Sequence, residues 1–115
     1  MLEPRSNTLR RNVFAAELVD SLAGADEVVI ADIFKSEAIP VAERLDPQVV
    51  LTGLHGRGVP AQFYPDAEAI VQAIAPRLRP GDVVAVLSNG AFGGIYEKLP
   101  AALQAREAKL VAQVV

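Results

Sequence analysis

Two polar stretches of this chain carry residue types that could hold an anion. The first is Leu87-Ser88-Asn89-Gly90-Ala91-Phe92-Gly93-Gly94, with three glycines in five positions. It follows an apolar run, Asp82 to Leu87, and precedes a helix-like run from Ile95 to Ala105. Glycine where a strand turns into a helix permits positive φ and lets a ligand or another backbone approach closely. The start of the following helix would present free N–H groups and the positive end of a dipole, which suits carboxylate or phosphate. The spacing is not G-x-G-x-x-G, and no Gly-Lys-Ser/Thr follows, so this is neither a dinucleotide fingerprint nor a Walker A loop. A plain tight connection is the competing reading.

The second stretch is Arg5-Ser6-Asn7-Thr8, followed by Arg10 and Arg11. Arg10 and Arg11 are expected in the first turn of a helix, where cations oppose the dipole. An anionic partner would offset that cost, and arginine binds carboxylates bidentately. Solvated arginines at a helix end are the alternative. Other residues carry less. His55, the single histidine, precedes Gly56-Arg57-Gly58 at a helix end, where it is expected to cap carbonyls in solvent. Asp32, Lys35, Ser36 and Glu37 follow the second strand and either edge a crevice or form a solvated loop. Phe34 and Phe92 read as packing residues. No metal constellation, Ser-His-Asp set or paired-carboxylate spacing stands out.

The elements that must position these stretches follow from the apolar pattern. Leu2-Glu3-Pro4 reads as the stub of a first strand with an abrupt start at Met1. Leu9 to Leu22 reads as a helix capped by Asn7 or Thr8, its stripe including Val13, Phe14, Leu18 and Leu22 and its stop at Gly24. Glu27 to Ala31 is a short strand whose continuous β-branched run suggests that both faces are covered. Asp46 and Pro47 open a second helix that ends at Gly56-Arg57-Gly58. Pro60 to Tyr64 is a third strand, and Asp66 caps a third helix whose stripe is Ala69, Ile70, Ala73, Ile74 and Leu78. Val83 to Leu87 is a fourth strand, and a last helix runs from Gly94 to about Arg106, with Pro100 expected to kink or restart it. Lys109 to Val115 fits an edge strand, a helix tail or disorder equally.

Strands alternating with amphipathic helices predict a parallel α/β sheet. In the doubly wound 3-2-1-4 order, strands 1 and 4 are central neighbours, and ligands bind outside their carboxyl ends. That order brings Arg5-Ser6-Asn7-Thr8 and Ser88 to Gly94 to one crevice. Composition sets the outer bounds. The 115 residues suit one domain, the net charge of −3 gives no basic footprint for nucleic acid, and the lack of cysteine excludes disulfides and thiolate metal sites. No apolar run is long enough to span a membrane and Met1 to Arg11 has no signal-peptide core, so a soluble, cytoplasmic protein is expected.

The two stretches also carry a family resemblance. Glu3-Pro4-Arg5-Ser6-Asn7-Thr8, with Arg10-Arg11 and Phe14, resembles the opening of the C-terminal domain of Mur ligases. Leu87-Ser88-Asn89-Gly90 through Phe92-Gly93-Gly94-Ile95, then Lys98-Leu99, resembles a late loop of the same domain. The Val28-Val29-Ile30 strand and the Asp66–Ile74 helix fall in register, so the resemblance covers nearly the whole chain. It is nearest to the murein peptide ligases, which work in cell-wall recycling. It implies a three-layer, Rossmann-like α/β domain at residues 1–115, one part of a larger three-domain ATP-dependent amide ligase.

The resemblance further implies that such an enzyme activates the carboxylate of UDP-N-acetylmuramate as an acyl phosphate, which the amine of the tripeptide L-Ala-γ-D-Glu-meso-diaminopimelate attacks. Arg5, Ser6, Asn7 and Arg11 would then face the tripeptide's carboxylates, and Ser88, Asn89 and the backbone of Gly90 would form the other wall. The family's P-loop, magnesium ligands and modified lysine belong to a central domain, so ATP and Mg2+ are expected mainly there. Catalytic residues are not expected within this stretch, which should be inactive alone. Two other readings stay open. One is the C-terminal domain of the L-alanine-adding branch, whose early loop usually looks like His-Arg-x-Thr-Arg, from which Arg5-Ser6-Asn7-Thr8 departs. The other is a stand-alone anion- or peptide-binding α/β module.

Overall fold

The computed structural model describes residues 1–4, 10–32, 36–88 and 90–114, with the backbone alone at 36 and 110–114. The chain alternates helix and strand: α1 (Ala15–Leu22), β1 (Val28–Ala31), α2 (Pro47–Gly56), β2 (Ala61–Tyr64), α3 (Ala67–Ile74) and α4 (Ile95–Val114). Short 3-10 turns at Asn12–Phe14, Ser36–Ala38, Val41–Glu43 and Phe92–Gly94 join them.

β1 and β2 pair in parallel, Val28 opposite Ala61 through Ala31 opposite Tyr64. On the other side of β1, Leu2 forms a parallel bridge with Ile30, and Leu2 in turn bridges Leu87 in parallel. The lateral order is therefore β2, β1, the Leu2 segment, the Leu87 segment, which is the doubly wound 3-2-1-4 arrangement expected from the alternation of elements. Successive residues of β1 point to opposite faces. Val28 and Ile30 join a core with Val19, Val50 and Leu54 from α1 and α2. Val29 and Ala31 join another with Ile70 and Ile74 from α3, Phe92 from the turn before α4, and Ile95 and Leu99 from α4. All four β1 residues are buried, so helices cover both faces in a three-layer, Rossmann-like α/β architecture.

Local chemistry fixes the helix starts. Asp46 accepts from the N–H of Gln48 at 2.9 Å, with Pro47 at the first helical position of α2. Asp66 accepts from the N–H of Ala69 at 2.8 Å at the start of α3. Asp66→Ala is expected to cost about 1 kcal/mol of stability, measurable by urea unfolding.

Three elements depart from the sequence reading. The first helix begins later than Leu9. The Arg10 carbonyl accepts from the N–H of Leu45 at 2.9 Å, and Arg11 forms an antiparallel bridge with Arg44, so pairing holds the chain extended up to Asn12. Val13 and Phe14 are consequently exposed, and Val19 is the buried residue of α1. The expected caps Asn7 and Thr8 lie outside the described residues. Residues 83–87 do not form a regular strand: only Leu87 bridges Leu2, and Val83 is 92% exposed. Finally, α4 runs unbroken through Pro100 to Val114. The hydrogen bond that Pro100 cannot donate would go to the Tyr96 carbonyl, and Tyr96 is exposed, so water can take that place. Good helix formers from Ala101 to Lys109 carry the helix on.

The Met1 amine donates to the Ala85 carbonyl at 2.8 Å. Burial pushes its pKa below the usual value for a chain terminus. The folded state thus favours the neutral amine. That contribution is fully present above the unfolded pKa of about 8 and is lost as pH falls through the lower folded value. The urea midpoint of the chain should drop over that window, and Nα-acetylation should remove that part of the pH dependence.

Candidate functional site

The strand ends that lead into the two loops, at Leu2 and Leu87, are neighbours, whereas Arg5 to Leu9 lie outside the described residues. Glu3 and Ser88 are the first residues beyond Leu2 and Leu87, the bridged pair at the middle of the sheet. The Glu3 N–H donates to the Leu87 carbonyl at 3.0 Å, which fixes the stagger of the two strand ends. The Ser88 hydroxyl then donates to Glu3 Oε1 at 2.7 Å and accepts from the N–H of Gly90 at 3.1 Å. A carboxylate acceptor makes this a charge-assisted bond, stronger than a neutral one. Residues 85 apart in sequence are thereby locked across the point where chain direction reverses. Ser88 and Gly90, which the sequence reading assigned to a crevice wall, lie at the carboxyl end of the central strands beside Glu3. The Gly90 N–H is turned to Ser88 Oγ, so this donor is already engaged. Arg5, Ser6, Asn7 and Asn89 lie outside the described residues.

Arg11 is half-buried and placed differently from its expected position in a first helical turn. Its φ of −109° and ψ of 161° are extended, so the dipole argument does not apply to it. Its Nη1 lies 3.4 Å from Glu43 Oε1 on the Val41–Glu43 turn. Asp32 and Glu37, beyond β1, are exposed. His55 uses Nε2 to meet the Ala61 carbonyl at 2.9 Å, tying α2 to the first residue of β2 instead of capping its own helix. Among the described residues no group of three His, Cys, Asp or Glu could hold a metal ion.

The glycine loop is shaped by packing. Phe92 is 1% exposed and seats the loop in the core between α3 and α4. It adopts a φ of 44°, unusual for a side chain of this size, and Gly93 and Gly94 continue at 57° and 80°. A Cβ on Gly93 would stand 2.9 Å from the Ala67 Cβ, so the close approach that glycine permits here is by the start of α3. Phe92 is a packing residue, as the sequence suggested.

Sequence reasoning missed Glu3 as a site residue. The signal was present: Glu3 and Ser88 are each the first polar residue after an apolar strand end, and the 3-2-1-4 order makes those ends neighbours. A cleft of about 480 Å³ lies at the opposite, amino end of the sheet, by Met1, Val29 and Ala85.

No protein-family model matches the chain, and no solved structure matches it. Curated relatives do. It is similar to UDP-N-acetylmuramate–L-alanyl-γ-D-glutamyl-meso-2,6-diaminoheptandioate ligase of Escherichia coli (strain K12), at 36% identity over 101 residues, covering 86% of this chain. The ligase of the same description from Haemophilus influenzae is 31% identical over 100 residues, again 86% of the chain. UDP-N-acetylmuramate–L-alanine ligase of Mycobacterium sp. (strain JLS) is 32% identical over 102 residues, 89% of the chain. The chain spans 20% of the length of each of these relatives.

Proposed function

From a chain that is homologous to Mur ligases over most of its length, we propose that residues 1–115 are the C-terminal, acceptor-side domain of an ATP-dependent amide ligase. The full enzyme joins the tripeptide L-Ala-γ-D-Glu-meso-diaminopimelate to UDP-N-acetylmuramate in murein recycling. It does so in the cytoplasm, where ATP and nucleotide sugars are available. ATP and Mg2+ sit mainly on a central domain outside this chain, and UDP-N-acetylmuramate on an N-terminal one.

The observation that carries the reading is the Glu3–Ser88–Gly90 junction. It holds together the two segments on which the resemblance rests. Arg5, Ser6, Asn7 and Arg11 are assigned to the peptide's carboxylates, and Ser88, Asn89 and Gly90 to the opposing wall. The P-loop and metal-binding machinery being elsewhere, the chain alone turns nothing over. The mycobacterial similarity supports a second reading, the L-alanine-adding branch.

Incubating the full-length enzyme with ATP, UDP-N-acetylmuramate and either tripeptide or L-alanine separates the two. The expected result is phosphate release and amide product with tripeptide. Turnover with L-alanine alone assigns the other branch, and turnover with neither overturns the ligase reading. Phosphate release by the 115-residue chain alone would overturn its assignment as an acceptor-side part.

A further inference from the structure

The backbone at Glu3 is held without its side chain. The Glu3 N–H donates to the Leu87 carbonyl at 3.0 Å, Leu2 donates to Val29 and accepts from Ala31, and Pro4 is fully buried. The side chain is turned to another task. Glu3 Oε1 accepts from the Ser88 hydroxyl at 2.7 Å. A serine hydroxyl has one proton to donate. Giving it to Glu3 turns a lone pair of the same oxygen toward the Gly90 N–H, which lies 3.1 Å away. The chain from Gly90 N–H through Ser88 Oγ to the Glu3 carboxylate therefore runs in one direction, and a charged acceptor at its end strengthens both bonds.

The far end of the loop is fixed independently. Phe92 is buried in the core, and the Gly94 N–H donates to the Ala91 carbonyl at 2.9 Å. Asn89, Gly90 and Ala91 are all that separates Ser88 from Phe92 in sequence. A span this short, pinned at both ends, keeps little conformational freedom. One pin is the core itself. The other is a single hydroxyl, and its orientation depends on Glu3.

We propose that Glu3 is a positioning residue for the acceptor peptide, setting the loop after Leu87 through Ser88 without meeting the peptide itself. The peptide enters through the ligase reading above, on which that half of the proposal rests. The link from Glu3 to the loop rests on the hydrogen bonds alone. A wall that is ordered before the peptide arrives removes an ordering cost from binding. Its loss is therefore read in the KM for the peptide, and ligands held elsewhere do not sense it.

The full-length ligase is compared with Glu3→Ala, Glu3→Gln, Ser88→Ala and the double Ala variant by amide exchange at Gly90 and by steady-state kinetics. Glu3→Ala should speed Gly90 exchange about tenfold and raise the tripeptide KM about five- to tenfold, with the KM for ATP within about twofold. Glu3→Gln, whose amide oxygen still accepts, should recover most of both losses. Ser88→Ala, a smaller change, should speed Gly90 exchange to the same extent, and adding Glu3→Ala to it should move neither readout by more than about twofold. A Glu3 that served stability alone would lower the melting temperature and leave the ratio of peptide and ATP KM values as it was. That outcome, unchanged Gly90 exchange in both single Ala variants, or full additivity in the double variant would overturn the proposal. The exchange measurement uses no substrate. Lack of turnover with the tripeptide would overturn the ligase reading and the acceptor role with it, whereas Gly90 exchange still decides whether Glu3 sets the loop.

Discussion

Phe92→Ala should remove about 3–5 kcal/mol of stability, read as a lowered urea midpoint by circular dichroism. The side chain is 1% exposed and sits among residues of β1, α3 and α4. Its removal leaves a cavity among these buried residues. Domains of this size have about 5–15 kcal/mol in total, so the variant would sit near the edge of folding. Phe92 also holds a φ of 44°, a conformation that persists only when its surroundings over-determine it. Alanine keeps that strain and loses what offsets it. Phe92→Leu, which keeps most of the volume, should cost about 1–2 kcal/mol. A loss under about 1 kcal/mol for Phe92→Ala would mean that the glycine loop is not anchored by this ring.

Arg5→Ala in the full-length ligase should lower kcat/KM for the tripeptide by about 10- to 100-fold, chiefly through a raised peptide KM. A hydrogen bond to a charged group contributes about 1.5–3 kcal/mol, and the guanidinium–carboxylate pair adds geometry as well as charge. In sequence Arg5 comes two residues after Glu3, which Ser88 holds by a hydrogen bond. KM values for ATP and UDP-N-acetylmuramate should stay within about twofold, because those ligands are assigned to other domains. Steady-state kinetics with each substrate varied in turn make the comparison. Unchanged peptide kinetics would remove Arg5 from the site.

How much of this was legible in the chain depends on which physics was local. Asp46-Pro47 and Asp66 announce helix starts by themselves, since a cap bonds within its own turn. The strand order followed from alternation and the handedness of crossovers, and with it the meeting of the Glu3 and Ser88 ends. The continuous Val28-Val29-Ile30 run announced a strand buried on both faces. What failed was non-local. The late start of α1 is set by Leu45 and Arg44 pairing with Arg10 and Arg11, residues more than thirty positions away. The 83–87 segment carries the apolar run of a strand, yet only Leu87 bridges Leu2 and Val83 is exposed. The glycines of this loop suggest close approach by a ligand or by another backbone. The neighbour of Gly93 is Ala67, which only the packing of α3 against the loop reveals.

The measurement that bears most directly on the acceptor-site claim is a double-substitution cycle. The full-length ligase and its Arg5→Ala variant are each assayed with the tripeptide and with a tripeptide whose carboxylates are amidated. If Arg5 meets a peptide carboxylate, the variant's loss of about 10- to 100-fold with the natural peptide should shrink to within about threefold with the amidated one, because the partner is already gone. The same fold-loss with both peptides would place Arg5 away from those carboxylates and contradict the account.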